Sequence, residues 1–404
     1  MSTRPPRRNC DECGNRYRPR SWESRFCGNC RLEALAQQTL SDSILEDARD
    51  PIEAHIEKEN RRYSEKDLKD SVKVAASRHI RNQIIEQALL NHTAPKYNPP
   101  PGLYVDPDHL KVVHLSDWHI GQKTTAEATG GIFHHDHVVA TAQVERLMDI
   151  ERAILRDDKR AVRRTLIVVN GDMVDGDDMR NSQHTEIEYL VMEQTLKCYD
   201  LIVRFIDHEV EITTEDVVVS LTGGNHDRSS RKPGNAGLSE LGYTDTYLYL
   251  LGGMLERTYQ NEKRVKIINN TSFFAKLNFS GHKIVHAHGS DIKWGGGYNG
   301  IPWNAIGVAA DKYNNMLGGD MELLLLAHGH MPSMIPGSNS NIWINTNGSL
   351  PGTSEYVQSN YKVVRRPVQW ILMLNEHGLV NAHPAYLDVG QIVRPQENNV
   401  WDNA

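Results

Sequence analysis

Five short segments hold most of the side chains that could act together chemically: Ser116-Asp117-Trp118-His119, Asn170-Gly171-Asp172-Met173-Val174-Asp175, Gly224-Asn225-His226-Asp227, His286-Ala287-His288-Gly289 and Ala327-His328-Gly329-His330. Carboxylates, an amide oxygen and imidazoles suit Mn²⁺, Fe or Zn²⁺ better than Ca²⁺ or a thiolate-bound metal. A carboxylate can bridge two such ions about 3.5–4 Å apart, and the pair polarises a phosphoryl oxygen while activating a water as hydroxide. Glycines beside the donors permit the sharp turns that aim them inward. Each segment alone is weak evidence, since a lone histidine is more often a packed structural residue than a ligand. All five in order are hard to obtain by chance.

Each segment follows an apolar run, and the runs must be the elements that position the donors. Strands are expected at 111–115, 165–169, 217–221, 283–286, 323–327 and 342–345, with helices at 136–156 and 186–207 between the early ones. This alternation is an α/β layout. Its donors fall at strand ends, where ligand sites of α/β sheets gather.

Over roughly residues 110–350 these motifs resemble the calcineurin-like metallophosphoesterase superfamily. The resemblance implies a two-layer β-sandwich flanked by helices, with a dinuclear metal centre. Asp117 and His119 match its D-x-H pair on the first metal, Asp172 the bridging ligand, and Asn225 a ligand to the second metal. His328 matches the second-metal histidine and His330 the first-metal histidine of the closing H-x-H element. His288, directly before a glycine, matches the remaining histidine, with His286 as the alternative. His226 matches the non-ligand catalytic histidine, and Asp175 the carboxylate that orients it. Asp227 competes for that role, and both carboxylates have a loop-capping alternative.

Within the superfamily the pattern departs from serine/threonine protein phosphatases, because Gly176 and Asp227 stand where those carry an arginine and a glutamate. It looks more like Mre11/SbcD-type nucleases and phage-type phosphoesterases, through Ser116-Asp117-x-His119-x-Gly121 and Asn347-Gly348-Ser349 followed by Glu355-Tyr356. Arg228, in the basic stretch after His226, and His134 and His135, in the loop after Gly121, are candidate substrate contacts. Solvated surface groups are the competing reading for all three.

The chain opens differently. Cys10-x2-Cys13 and Cys27-x2-Cys30 lie thirteen residues apart, a spacing that presents four thiolates to one structural Zn²⁺. The segment resembles a zinc ribbon or knuckle, and with no secretory signal apparent, disulfides are the weaker alternative. Residues 1–31 carry a net charge of +5, with Tyr17, Trp22 and Phe26 among the arginines, whereas 32–109 and 110–404 carry −4 and −8. A basic, aromatic module suits phosphates and stacked bases, so DNA is the expected partner, with protein docking as the alternative.

Three regions follow: a zinc-ribbon-like module at 1–31, a helical linker at 32–109 closed by the Asn98-Pro99-Pro100-Pro101-Gly102 breaker, and a phosphoesterase domain at 110–404. With 39% apolar and 24% charged residues, fibrous and wholly disordered classes are excluded. The longest apolar run, residues 323–327, is far short of the ~20 residues of a membrane span. A cytoplasmic location is therefore expected, the host's cytoplasm if the protein is phage-encoded. The sequence reads as a two-metal phosphodiesterase, with manganese favoured over iron or zinc and DNA as substrate. A phosphodiesterase of small or cyclic nucleotides, or a non-catalytic nucleic-acid-binding relative, are the alternatives. A Gly295-Gly296-Gly297 loop near Trp294 and Trp303 and a late strand at 369–374, capping the sandwich or serving an oligomer contact, complete the expectations.

Overall fold

The computed structural model describes residues 8–9, 16–17, 89–177, 183–228, 241–294, 301–338, 341–353 and 365–390. The chain divides into two units, Met1–Ile84 and Ile85–Ala404. In the first, β1 (Arg8–Asn9) pairs antiparallel with β2 (Arg16–Tyr17). Cys10, Cys13, Cys27 and Cys30 lie outside the described residues.

In the second unit, β3 (Tyr104–Val105) pairs with β5 (Arg160–Ala161), and β4 (Leu110–Leu115) is buried along its whole length. Continuous burial is what a strand covered on both faces requires. Successive side chains point to opposite faces, and the packing follows that period. Leu110 and Val112 of β4, Leu166 and Val168 of β6 (Arg164–Val169), and Trp370, Leu372 and Leu374 of β14 (Val368–Asn375) form one apolar layer. That layer meets Ile284 of β10 (His282–Ala287) and Leu323 and Leu325 of β11 (Leu323–Leu326). The alternate residues Val113, Leu115, Ile167, Val169, Ile371 and Met373 pack outward.

Two sheets result. One has six strands in the order β15-β14-β4-β6-β7-β8, with β7 at Val217–Leu221, β8 at Val265–Asn269 and β15 at Gly378–Tyr386. Its members β4, β6, β7 and β8 are parallel. The other runs β12-β13-β11-β10-β9, with β9 at Phe274–Phe279, β12 at Ser333–Pro336 and β13 at Trp343–Thr346. Pro384 and Pro336, which cannot donate to a ladder, both fall on edge strands. The outward face of the six-stranded sheet is covered by α1 (His137–Asp158), α2 (Val191–Ile212) and α4 (Tyr247–Thr258), the last preceded by the short α3 (Leu241–Thr244). The five-stranded sheet is covered by α5 (Trp303–Met316), which buries Ile306, Ala310 and Tyr313. This is the expected α/β sandwich flanked by helices.

Several elements depart from the sequence reading. Helix α2 starts at Val191 rather than near residue 186, because the preceding segment is held by the loop after β4: Lys123 N donates to Glu186 O at 2.7 Å and Glu188 N to Gly121 O at 2.8 Å. Trp303 opens a helix instead of lining a loop. The late strand is no cap, since β14 lies inside the six-stranded sheet between β15 and β4. Residues 89–109, grouped by sequence with the helical region, pack on the α/β body through buried Leu89, Asn98 N donating to Glu211 O at 2.7 Å and β3 pairing with β5. No helix among the described residues is long and apolar enough to cross a membrane.

One buried charged group sits beneath the outward face. Lys111 Nζ lies 2.7 Å from Glu209 Oε2 and 3.1 Å from Glu151 Oε1, and His208 Nε2 lies 3.1 Å from Glu151 Oε2. Burial, reinforced by Glu151, pushes Glu209 up to about 8, while burial holds His208 down to about 3. A neutral Glu209 and a neutral His208 reduce the charge this cluster holds out of water beside Lys111, which is the direction burial favours.

Candidate metal centre

The donors gather where β4, β6, β7, β10 and β11 end. Among the described residues seven other than glycine have positive φ, and five of them are Asp117 (51°), His119 (44°), Asp172 (52°), His328 (67°) and His330 (50°). Each such residue costs roughly 1–3 kcal/mol of backbone strain, which persists only where the surrounding fold over-determines it. Two glycines allow the loops to meet. A Cβ on Gly224 would lie 2.1 Å from Asp172 Oδ1, and one on Gly171 would lie 2.5 Å from Gly224 N.

One cluster is Asp117, His119 and His330, and a second is Asp172, His288 and His328, with donor atoms in each within 4.8 Å of one another. In the first, His119 Nε2 and His330 Nε2 are 3.2 Å apart and His330 Nε2 is 3.0 Å from Asp117 Oδ1. His119 Nδ1 donates to Asp175 Oδ1 at 3.1 Å, which leaves Nε2 with its lone pair. Asp117 Oδ1 is fully buried with no donor aligned on it among the described residues. In the second, His288 Nδ1 donates to the Asn170 carbonyl at 2.8 Å, while Nε2 lies 3.1 Å from Asp172 Oδ2 and 3.2 Å from Asn225 Oδ1. Lone pairs converging on one another out of water demand positive charge between them. The residues therefore fit two divalent cations: Asp117, His119 and His330 for one, and Asn225, His288 and His328 for the other, with Asp172 beside them.

The electrostatics agree. Burial acts to raise the Asp117 and Asp172 carboxyls, yet both are held below the usual range, Asp117 chiefly by His330 and Asp172 by His288 and His226. Burial acts to lower His288, but Asp172 and Asp117 raise it to about 9, so without a cation the pocket draws in a proton. His328 is pushed down to about 4 by burial and by His288.

The two candidate orienters separate cleanly. Asp227 accepts from the backbone N–H of Asp172 at 2.7 Å, Gly224 at 2.8 Å and Met173 at 3.1 Å, so it ties the ligand loops together. Asp175 faces the histidines: His226 Nδ1 donates to its carbonyl at 2.7 Å, and its carboxylate accepts from His119. His226 stands edge-on to His119 with ring centroids 4.7 Å apart, and its backbone N–H donates to Asp172 Oδ1 at 2.7 Å. His286, in contrast, is buried between the sheets against Ser220 Oγ at 2.8 Å and Asn170 Oδ1 at 3.2 Å, away from both clusters.

His135 is buried, stacks with Phe133 and is held down to about 3 by burial, so it is walled off from solvent. His134 is half-buried and joins neither cluster. Arg228 lines a cavity that also touches His288. The sequence reading gave several supporting residues no role at the site. Asn170 Nδ2 donates to Ala287 O at 2.8 Å and Leu325 O at 3.1 Å, which pins the two sheets beneath the ligands. Gln183 Nε2 donates to Asp175 Oδ2 at 2.8 Å, Arg365 Nη1 donates to the carbonyls of Gly329 and His330 at 2.9 Å each, and Trp294 packs over Gly329. Only Asn170 had a local signal, its place before Gly171-Asp172. Asn347 and Ser349 are buried structural groups, and Asn347 Nδ2 donates to His114 O at 2.8 Å.

A helix-flanked sandwich with two clusters of hard and borderline donors at its strand ends defines a metal-dependent hydrolase. The sequence matches the calcineurin-like phosphoesterase family over residues 110–373, and the chain belongs to that family. No curated protein sequence matches it. Similar solved structures include an archaeal phosphodiesterase at 12% identity, covering 68% of this chain and 99% of that one with a TM-score of 0.31. A conserved protein of Streptococcus pneumoniae, described as a predicted phosphoesterase, is 11% identical over 71% of this chain and 94% of its own, with a TM-score of 0.30. Vps29 of Entamoeba histolytica, solved with zinc, is 12% identical over 69% of this chain and all (100%) of its own, also at 0.30.

Proposed function

We propose that the protein is a dinuclear-metal phosphodiesterase that acts as a DNA nuclease. The observation that carries the hydrolytic reading is the convergence of two ligand clusters around Asp172 with His226 at their edge. When bound, two divalent ions, with manganese favoured, supply charge for the developing phosphorane oxygens and lower the pKa of a water. The chain's own groups do the rest. Asp117, His119 and His330 would hold one ion and Asn225, His288 and His328 the other, with Asp172 beside both sets. Asp175 fixes the His119 tautomer and, through its carbonyl, the His226 ring. With Nδ1–H given to that carbonyl, a doubly protonated His226 ring delivers its remaining proton, on Nε2, to the departing ester oxygen and is left as the neutral Nδ1–H tautomer.

DNA is favoured by the +5 charge of residues 1–31, where a structural zinc on Cys10, Cys13, Cys27 and Cys30 would order a basic, aromatic module. Such a module raises the local concentration of a polymer beside the site. The test is Mn²⁺-dependent cleavage of end-labelled single- and double-stranded DNA beside cyclic nucleotides, with Asp172→Ala as control. DNA cleavage lost in the variant is expected. Hydrolysis of the cyclic nucleotides alone would make the protein a small-nucleotide phosphodiesterase and assign the N-terminal module to a protein partner.

A further inference from the structure

A cavity of about 260 Å³ opens directly beside the second cluster, with His288 and Gly224 on its inner wall. Its outer walls are Tyr243 and Phe273, whose ring centroids are 6.4 Å apart at 40°, and its polar groups include Arg228 and Asp291. Phe273 is 41% exposed, and its ring rests on Phe274 at 4.8 Å and Tyr313 at 6.4 Å between centroids, so the core steadies it while part of it faces the cavity. Burial raises the Tyr243 hydroxyl, Arg228 draws it down and Asp291 raises it, so both charges act on one small polar edge. Neither ligation nor the arrangement of His226 uses any of these four side chains.

We propose that this cavity is a nucleobase subsite, in which the base next to the scissile phosphate stacks on Phe273 and Tyr243 while Asp291 accepts from a base N–H and Arg228 pairs with phosphate. A planar ring with a polar edge is the ligand such walls fit, because base–aromatic stacking tolerates every base and the acidic edge reads only a donor. The cavity is slightly smaller than the ~300–1,000 Å³ of sites for drug-sized molecules. A single nucleoside is the unit this size suits, so the base is expected to enter unpaired, from a single strand or a frayed end. Phe273 and Asp291 also line an adjoining cavity of about 360 Å³ that carries Lys293 and Lys312.

The inference rests on the phosphodiesterase reading, and the test separates the two. The full-length Mn²⁺-loaded protein is assayed on thymidine 3′- and 5′-(p-nitrophenyl phosphate) and on methyl p-nitrophenyl phosphate, which has no base. One thymidine ester is expected to show the higher kcat/KM, which identifies the side of the phosphate the base occupies. Phe273→Ala is expected to lower the ratio of kcat/KM for that ester over the methyl ester by about 5- to 150-fold, with Phe273→Leu intermediate. Binding of thymidine itself, measured by calorimetry, should weaken by the same factor. Equal kcat/KM for all three esters in the wild type, or an unchanged ratio and unchanged thymidine binding in Phe273→Ala, would overturn the subsite and leave the phosphodiesterase intact. No hydrolysis of any ester would overturn the phosphodiesterase, and the subsite would then stand or fall on whether Phe273→Ala weakens thymidine binding.

Discussion

Asp227→Ala tests how the ligand loops are held. The Asp227 carboxylate is fully buried and accepts three backbone N–H groups, from Asp172, Met173 and Gly224. Its removal strands all three donors at about 1–3 kcal/mol each, a gross loss of ~3–9 kcal/mol. Against that stands the cost of keeping this carboxylate ionised: burial and the neighbouring Asp172 push its pKa up to about 6, a displacement worth about 3 kcal/mol at neutral pH. The net loss centres on about 3 kcal/mol. Urea unfolding of wild type and variant in chelator reads it directly, and Mn²⁺ affinity should fall in parallel because Asp172 and Gly224 lose their shared anchor. Asp227→Asn, which keeps one acceptor oxygen, should fall between. A variant within about 0.5 kcal/mol of wild type, the range of a neutral surface change, with unaltered Mn²⁺ affinity but a reduced kcat, would refute this account and return Asp227 to the role of orienting His226.

Three further outcomes are expected. His226→Ala should retain both metals, by elemental analysis, while kcat falls about 10²- to 10⁴-fold, and full activity would remove its role as proton donor. His288→Ala should lose metal, whereas His286→Ala should keep metal and lose stability through its broken contacts with Ser220 and Asn170; the opposite pattern would exchange the two assignments. The Lys111 cluster makes stability pH-dependent. Folded Glu209 keeps its proton up to about 8 while the unfolded chain releases it above about 4.3, so its contribution falls as pH rises through that window. Folded His208 refuses a proton that the unfolded chain binds below about 6.5, so its contribution falls as pH drops from there towards about 3. The two slopes cancel between about pH 4.3 and 6.5, and unfolding free energy should decline by about 2 kcal/mol from there to pH 8. Glu209→Gln should flatten that decline, and an unchanged slope would refute the cluster's protonation pattern.

What chain order alone determines is chemistry that local residue types dictate. That Asp117, His119, Asp172, Asn225, His328 and His330 gather at one place was legible, because their motifs match a family pattern and each follows an apolar run that announces a strand. The family follows from the same motifs. Tertiary structure decides whatever depends on partners distant in the chain. His286 and His288 share a strand face, and only the neighbours of each tell them apart: Ser220 and Asn170 enclose the first, whereas the second clears the strand end to meet Asp172 and Asn225. Asp175 and Asp227 are both carboxylates in glycine-bearing loops, yet one faces ring nitrogens and the other backbone amides 54 and 55 residues away. β14 joins β4 from the far end of the domain, and Arg365 just before it grips the H-x-H loop. No local pattern encodes such pairings, because a hydrogen bond or stacked ring is set by which surfaces the folded layers bring together, and that depends on the whole chain at once.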